Sequence, residues 1–140
     1  MNARFFLDTN VFVYAFDTSA PAKSKKAAQL IRQAADTGQG VVSYQVVQEF
    51  FNVALRRFTR PMSVAEAEQY LVTVFRPLLA VHSSPALYFE ALRISAKDRL
   101  SWYDALIVAA AIEANCDRLY SEDLQHGREF GDLSVVNPFA

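Results

Sequence analysis

Short apolar runs alternate with longer amphipathic stretches along the whole chain, which predicts a parallel α/β protein. The apolar runs predict strands at residues 5–8, 40–43, 79–82, 118–120 and 134–136. Helical spacing predicts helices over residues 9–16, 23–35, 45–58, 63 to about 76, 85 to about 97, and 102–115. We therefore expect a single domain over residues 1–140. Its fold should be a three-layer α/β/α sandwich around a central, mostly parallel sheet of about five strands.

Composition narrows the class of protein. Hydrophobic residues make up 52% and charged residues 21%, which is typical of an ordered globular domain. No apolar run approaches the roughly 20 residues of a membrane span, and Asp8 interrupts the N-terminal apolar run, so neither a membrane anchor nor a signal peptide is expected. Cys116 is the one cysteine, which excludes an internal disulfide and fits a cytoplasmic protein; we expect it to be a small core residue in its helix.

Acidic residues recur where the predicted strands end. Asp8 follows the first strand, Glu49 lies in the helix after the second, and Glu122 and Asp123 follow the fourth. Asp104 opens an almost wholly apolar helix that could point at the same edge. Ligands of parallel α/β sheets bind beyond the carboxyl ends of the strands.

Each of these positions also has a purely structural interpretation. Asp8 is a good helix N-cap, and Asp104 could close a capping box with Ser101. Glu49 could belong to the solvated face of its helix, and the acidic pair after the fourth strand could form a turn with an Asp cap.

Taken together, the acidic positions favour a metal site. Carboxylates within a few ångströms of one another repel, and some would be forced to stay protonated. A hard divalent cation such as Mg²⁺ or Mn²⁺ removes that conflict and prefers oxygen ligands. His82 and His126 are far apart in sequence and do not suggest a competing zinc site.

Four blocks of sequence carry a resemblance to a known family. They are "FFLDTNVFVYAFD", "QVVQEFFNVA", "WYDALIVAAAIEANCDRLYSEDLQHG" and "VVNPF", in this order. With these blocks the chain resembles, over essentially its whole length, the PIN-domain nucleases and among them the VapC-like toxins of bacterial toxin–antitoxin pairs.

The resemblance implies an endoribonuclease that hydrolyses RNA phosphodiester bonds with one or two Mg²⁺ or Mn²⁺ ions. The residues that match the family's catalytic and metal-binding positions are Asp8, Glu49, Asp104 and Asp123. Asn10 and Ser121 match supporting positions, and Glu122 could replace or assist Asp123. The resemblance also implies that an antitoxin protein lies over a hydrophobic groove of the early helices and sends a basic side chain to the carboxylates.

Net charge and aromatic content bear on RNA binding and on dimer formation. The net charge of −1 is not typical of a nucleic-acid-binding protein, so RNA contacts must come from a local patch. Candidates for that patch are Lys23, Lys25, Lys26, Arg56, Arg57 and Arg60, although each is also compatible with ordinary surface. The chain holds 11 phenylalanines, and some of its aromatic residues should line interfaces, which predicts a homodimer.

Other functions remain open on the sequence. A haloacid-dehalogenase-type phosphotransfer enzyme normally has a second Asp two residues after the nucleophile, where this chain has Asn10. A receiver-like domain should have a lysine after its last strand, where this chain has Asn137 and Pro138. An inactive PIN-like scaffold that only binds a protein is the third alternative. The RNA target and the number of metal ions are not predicted.

Overall fold

A computed structural model describes residues 3–140, and it confirms the three-layer α/β/α architecture with a mostly parallel sheet. Within these residues the sheet has six strands rather than about five. They are β1 (Arg4–Leu7), β2 (Gly40–Ser43), β3 (Leu79–Val81), β4 (Cys116–Tyr120), β5 (Glu129–Phe130) and β6 (Leu133–Val136).

Helices flank this sheet. They are α1 (Thr9–Tyr14), α2 (Pro21–Thr37), α3 (Tyr44–Ala54), α4 (Val64–Tyr70), α5 (Arg76–Leu78), α6 (Pro85–Asp98) and α7 (Trp102–Glu113), with a π-helical turn, Leu71–Phe75, between α4 and α5. α1 packs against α2 and α3, and α6 packs against α7. None of the helices within residues 3–140 is long and apolar enough to cross a bilayer.

The strand order places one crevice at the centre of the sheet. The order is β3-β2-β1-β4-β6-β5, and β1 pairs in parallel with β2 on one side and with β4 on the other. The chain therefore reverses its direction of travel across the sheet between β1 and β4. In α/β sheets a ligand crevice forms outside the carboxyl ends of the strands at such a switch point.

Three local predictions differ from the structure. β5 was not predicted, because two residues antiparallel to β6 are too few to show a periodic pattern. Cys116 was expected in a helix, but it is the buried first residue of β4, since α7 ends at Glu113 and Asn115 takes a left-handed conformation with φ of 60°. That conformation is typical of a residue that ends a helix.

The predicted helix over residues 45–58 was too long, because α3 ends at Ala54. The backbone N–H of Met62 donates to the carbonyl of Ala54 at 3.0 Å and turns the chain back. Phe58 therefore reaches Phe50 from a loop, with ring centroids 5.9 Å apart, rather than from the same helix. Phe58 packs against the core as an apolar residue should, but it does so from outside the helix.

The core explains most of the aromatic content. Phe6, Phe12, Phe50 and Phe75 are fully buried, and the last three form one cluster of ring contacts. Packing also selects Gly40, because a Cβ added at that strand position would overlap the side chain of Ala34 on α2. The close approach of α2 to β2 therefore needs glycine at this point.

Candidate metal-dependent active site

Asp8 is a buried carboxylate at the head of the central crevice. It follows β1 directly, caps α1 by accepting a hydrogen bond from the N–H of Thr9 at 2.7 Å, and is only 4% exposed. The pKa of Asp8 is raised to about 7, chiefly by burial and to a lesser extent by the charges of Asp123 and Glu49, although the hydrogen bonds from Ser121 and Thr9 lower it. The helix cap expected as an alternative is thus present, but capping alone leaves this charge poorly compensated.

Ser121 joins Asp8 across the switch point. Its hydroxyl donates to the second carboxylate oxygen of Asp8 at 2.7 Å, and Ser121 is itself fully buried. The backbone N–H of Asp8 donates to the carbonyl of Tyr120, the last residue of β4, at 3.0 Å. Both oxygens of Asp8 are therefore held by groups of this chain, and the carboxylate has one fixed orientation.

Glu49 is held by two hydrogen-bond donors. Thr9 donates its hydroxyl to one oxygen at 2.6 Å, and the amide of Gln45 donates to the other at 3.3 Å. Gln45 also donates to the backbone carbonyl of Tyr103 at 3.2 Å, which ties α3 to the start of α7. Thr9 thus links the two carboxylates, because its N–H donates to Asp8 and its hydroxyl donates to Glu49 on α3.

Asp104 lies in the first turn of α7, as predicted. The backbone N–H of Asp104 donates a hydrogen bond to the hydroxyl of Ser101 at 3.3 Å, and Ser101 is therefore the N-cap of the helix. Among residues 3–140, no hydrogen bond engages the carboxylate of Asp104 itself. That carboxylate is near enough to Asp123 for its charge to raise the pKa of Asp123.

Asp123 completes the acidic group from the loop after β4. Partial desolvation of its carboxyl raises the pKa, and the charges of Asp104, Glu122 and Glu49 raise it further, while the amide of Asn10 lowers it. Asn10 nonetheless makes no hydrogen bond of good geometry within residues 3–140, although both polar atoms of its amide are buried. Such a buried, unpaired amide is costly and unusual.

Glu122 occupies a different environment from Asp123. The hydroxyl of Tyr14 donates to one of its oxygens at 2.6 Å, and the ammonium of Lys23 donates to the other at 2.7 Å. These contacts hold the pKa of Glu122 below its usual value. Its charge is compensated by the chain, whereas that of Asp8 is not.

The donor set fits a hard divalent cation. The carboxylates and the Asn10 amide supply oxygen atoms, which Mg²⁺ and Mn²⁺ prefer. A cation would also compensate the buried charge of Asp8 and engage the unpaired oxygen of the Asn10 amide. Within residues 3–140 no three His, Cys, Asp or Glu side chains stand close enough to enclose a metal ion directly. This arrangement suits a cation that keeps several of its waters, as Mg²⁺ usually does.

The arginines predicted to contact RNA lie outside the hydrogen-bond network of this site within residues 3–140. Arg56, Arg57 and Arg60 are exposed in the turn after α3, and within residues 3–140 no hydrogen bond or ion pair joins them to the carboxylates. The contacts of Thr9 and Tyr14 with acidic residues were missed, because nothing in the spacing links positions 40 or 108 residues apart. The polar triplet "DTN" after an apolar strand was the available signal for Thr9.

Comparison with known proteins agrees with this description. The family model described as "PIN domain" matches residues 5–128, and the chain therefore belongs to the PIN domain family. No curated protein matches the sequence closely enough to count as a relative.

Solved structures share the fold at low sequence identity. A toxin–antitoxin complex from Klebsiella pneumoniae has a TM-score of 0.69 at 18% identity, over 97% of this chain and 98% of that one. VapC20 of Mycobacterium tuberculosis, a toxin that cleaves the sarcin–ricin loop, has a TM-score of 0.63 at 23% identity, over 84% and 88%. VapBC2 of Rickettsia felis, bound to a DNA fragment from its promoter, has a TM-score of 0.62 at 15% identity, over 94% and 96%.

Proposed function

We propose that this chain is a metal-dependent endoribonuclease and the toxin of a toxin–antitoxin pair. The observation that supports this most strongly is the buried Asp8, whose charge is opposed rather than compensated by Asp123 and Glu49. A protein that needed only a helix cap would not gather further carboxylates around it. Such perturbed acidic groups at a ligand crevice are typical of functional sites.

In this proposal Asp8, Glu49, Asp104 and Asp123 hold one or two Mg²⁺ or Mn²⁺ ions. When bound, the ion would polarise the scissile phosphate and lower the pKa of the attacking water. The chain's own contribution is orientation. Ser121 and the Thr9 N–H hold Asp8, while the Thr9 hydroxyl and Gln45 hold Glu49. Asn10, whose amide lowers the pKa of Asp123, would supply a further oxygen ligand.

The choice of RNA as substrate is supported by family membership and by VapC20, the structural neighbour described as cleaving the sarcin–ricin loop. An acidic crevice repels phosphate, so binding and hydrolysis should both require the cation. Arg56, Arg57 and Arg60 are exposed and remain candidates for contacts with the RNA backbone. RNA and a protein partner would both be met in the cytoplasm, which is the compartment we propose.

An antitoxin partner is supported by two structural neighbours that are described with their partners. The surface we assign to it, the early-helix surface, is formed by Phe16, Phe58 and Tyr70. Phe16 is 41% exposed and its ring lies 5.4 Å from that of Phe58 and 5.3 Å from that of Tyr70. An exposed apolar surface of this kind is suited to a covering protein.

A homodimer is supported by a second apolar surface. We call it the aromatic face, and its residues are Tyr44, Tyr88, Phe89, Leu92 and Tyr103. Three of these, Tyr44, Tyr88 and Tyr103, line one cleft of about 190 Å³, and Phe89 is 68% exposed. Aromatic residues are enriched at protein interfaces, and two copies of this face would bury each other.

One experiment separates the nuclease from a non-catalytic scaffold and from a haloacid-dehalogenase-type enzyme, because only the nuclease cleaves RNA. Asp8→Asn and Asp104→Asn should each abolish Mn²⁺-dependent cleavage of a structured RNA, while circular dichroism shows an intact fold. Asp132→Asn, at an exposed carboxylate next to β6, is the matched control and should cleave normally. A wild-type chain that cleaves no RNA would favour one of these two alternatives. Cleavage that survives both site substitutions would refute the assigned site.

A further inference from the structure

Glu122 and Asp123 are consecutive carboxylates, yet their side chains have different neighbours. Asp123 lies near Asp104, Glu49 and Asn10. The two carboxylate oxygens of Glu122 accept hydrogen bonds from Tyr14 of α1 and Lys23 of α2. Two adjacent acidic residues in one loop thus have separate surroundings, which needs an explanation because either could serve a cation.

Glu122 belongs to a compact cluster of four side chains, together with Tyr14, Lys23 and Phe139. Tyr14 donates to one oxygen at 2.6 Å, and Lys23 donates to the other at 2.7 Å and to the Tyr14 hydroxyl at 3.3 Å. The Lys23 ammonium also lies 4.7 Å from the centre of the Tyr14 ring and 5.8 Å from that of Phe139. The rings of Tyr14 and Phe139 meet at 4.8 Å.

This cluster is poorly suited to stabilising the whole fold. The side chains of Lys23 and Glu122 are 39% and 27% exposed, and ion pairs with this much solvent contribute little to global stability. Its geometric effect is more specific. It fastens the loop after β4 to α1 and α2 at the residue immediately before Asp123.

We propose that Lys23, Tyr14 and Glu122 are positioning residues that present Asp123 to the metal site and keep Glu122 out of it. The proposal rests on the function proposed above. Glu122 serves as the attachment point of the loop, and its neighbour Asp123 as the ligand. Groups that orient metal ligands typically change metal affinity by about 10- to 100-fold when they are removed.

The direction in which Lys23→Met changes the affinity for a divalent cation distinguishes positioning from simple electrostatics. Lys23→Met keeps most of the side-chain volume but removes a positive charge from the neighbourhood of an acidic site. Coulomb's law alone then predicts tighter binding of a divalent cation. Loss of positioning predicts weaker binding, because Asp123 is no longer held in place.

The test is an Mn²⁺ titration of the full chain, with the melting temperature as the readout. Lys23→Met and Tyr14→Phe should raise the half-saturating Mn²⁺ concentration, the first by about 10-fold. Lys23→Arg, which retains a donor and the charge, should restore it to near the wild-type value. Arg93→Met breaks the exposed Arg93–Glu90 pair of 2.8 Å and is the matched control, expected to leave Mn²⁺ binding unchanged.

Cleavage at saturating Mn²⁺ distinguishes a positioning residue from a ligand. Lys23→Met and Glu122→Gln should recover most of their rate when metal is in excess, whereas Asp123→Asn should stay inactive. Tighter or unchanged Mn²⁺ binding in Lys23→Met would overturn the proposal, as would a Glu122→Gln variant as inactive as Asp123→Asn. A wild-type chain that bound no Mn²⁺ would instead refute the proposed function itself, and the positioning role with it.

Discussion

The hydroxyl of Ser121 donates a 2.7 Å hydrogen bond to the carboxylate of Asp8, and it does so between residues 113 positions apart. This bond joins the residue that follows β1 to the residue that follows β4. It lowers the pKa of Asp8, but desolvation outweighs it and leaves the pKa at about 7. The chain therefore holds its central carboxylate in one orientation while leaving its charge insufficiently compensated.

Asp8→Asn should stabilise the protein in the absence of metal at pH 8. The pKa of Asp8 is about 7 in the folded state, against 3.8 for the reference group, so the folded protein binds the proton more tightly. Stability should consequently fall as the pH rises from about 4 to about 7, by up to about 4 kcal/mol from this group. Removing the charge removes that cost.

The measurement is urea denaturation in EDTA at several pH values. The variant should gain about 1–4 kcal/mol over the wild type at pH 8 and nothing at pH 4, where Asp8 is largely protonated in the folded state. Asp132→Asn controls for a general effect of losing an exposed carboxylate. If Asp8→Asn is equally or less stable at pH 8, the charge of Asp8 is compensated within the protein, and the argument for a cation is lost.

Adding Mg²⁺ or Mn²⁺ should raise the melting temperature of the wild-type chain. A cation that binds only the folded site stabilises by mass action, by about 2.7 kcal/mol at one hundred times its dissociation constant. The gain should be much smaller in Asp8→Asn and Asp104→Asn and unchanged in Asp132→Asn. Differential scanning fluorimetry at millimolar metal measures it, and equal shifts in all four proteins would indicate binding elsewhere.

Thr9→Val should impair cleavage although Thr9 is not an acidic residue. Valine is similar in size but cannot donate the 2.6 Å hydrogen bond that holds Glu49. We expect a loss of about 10- to 100-fold in activity or metal affinity, as for other groups that orient ligands. Thr9→Ser keeps the hydroxyl and should remain close to wild type. Wild-type cleavage by Thr9→Val would show that the hydrogen bond to Glu49 is not needed for the reaction.

The two exposed apolar surfaces should have separable partners. Phe89→Asp on the aromatic face should yield a monomer on size-exclusion chromatography and still bind the antitoxin. Phe16→Asp on the early-helix surface should remain a dimer and lose the antitoxin, because a buried, unpaired charge is costly in either interface. Circular dichroism checks folding in both variants. A change of both properties in either one would show that the surfaces are not independent.

Inhibition by the antitoxin should compete with metal. An Arg or Lys placed among the four carboxylates would make charge-assisted hydrogen bonds to the oxygens that a cation needs. The product of the adjacent gene can be co-purified and Mg²⁺ titrated in a cleavage assay. Excess Mg²⁺ should partly relieve inhibition, and so should an Ala substitution of that basic residue. Binding without any effect on cleavage would contradict inhibition at the site.

Local pattern was sufficient for the architecture and for the acidic positions. The alternation of short apolar runs with helical periods predicts the parallel sheet, because each element must bury one face. Strand ends predict the edge on which Asp8 and Asp123 lie, and Glu49 and Asp104 are expected near that edge from the helices that carry them. Patterns of this kind cannot detect the two-residue β5, and they extended α3 to Phe58 because an apolar residue in a loop can fill the same core.

Only the tertiary structure decided how the carboxylates differ. Sequence cannot separate Glu122 from Asp123, since both follow the same strand. The partners that distinguish them, Lys23 and Tyr14, are 99 and 108 residues away from Glu122 along the chain. Likewise, the raised pKa of Asp8 depends on desolvation by the packed sheet. Burial and long-range hydrogen bonds arise from the folded chain as a whole, so no local spacing of residues encodes them.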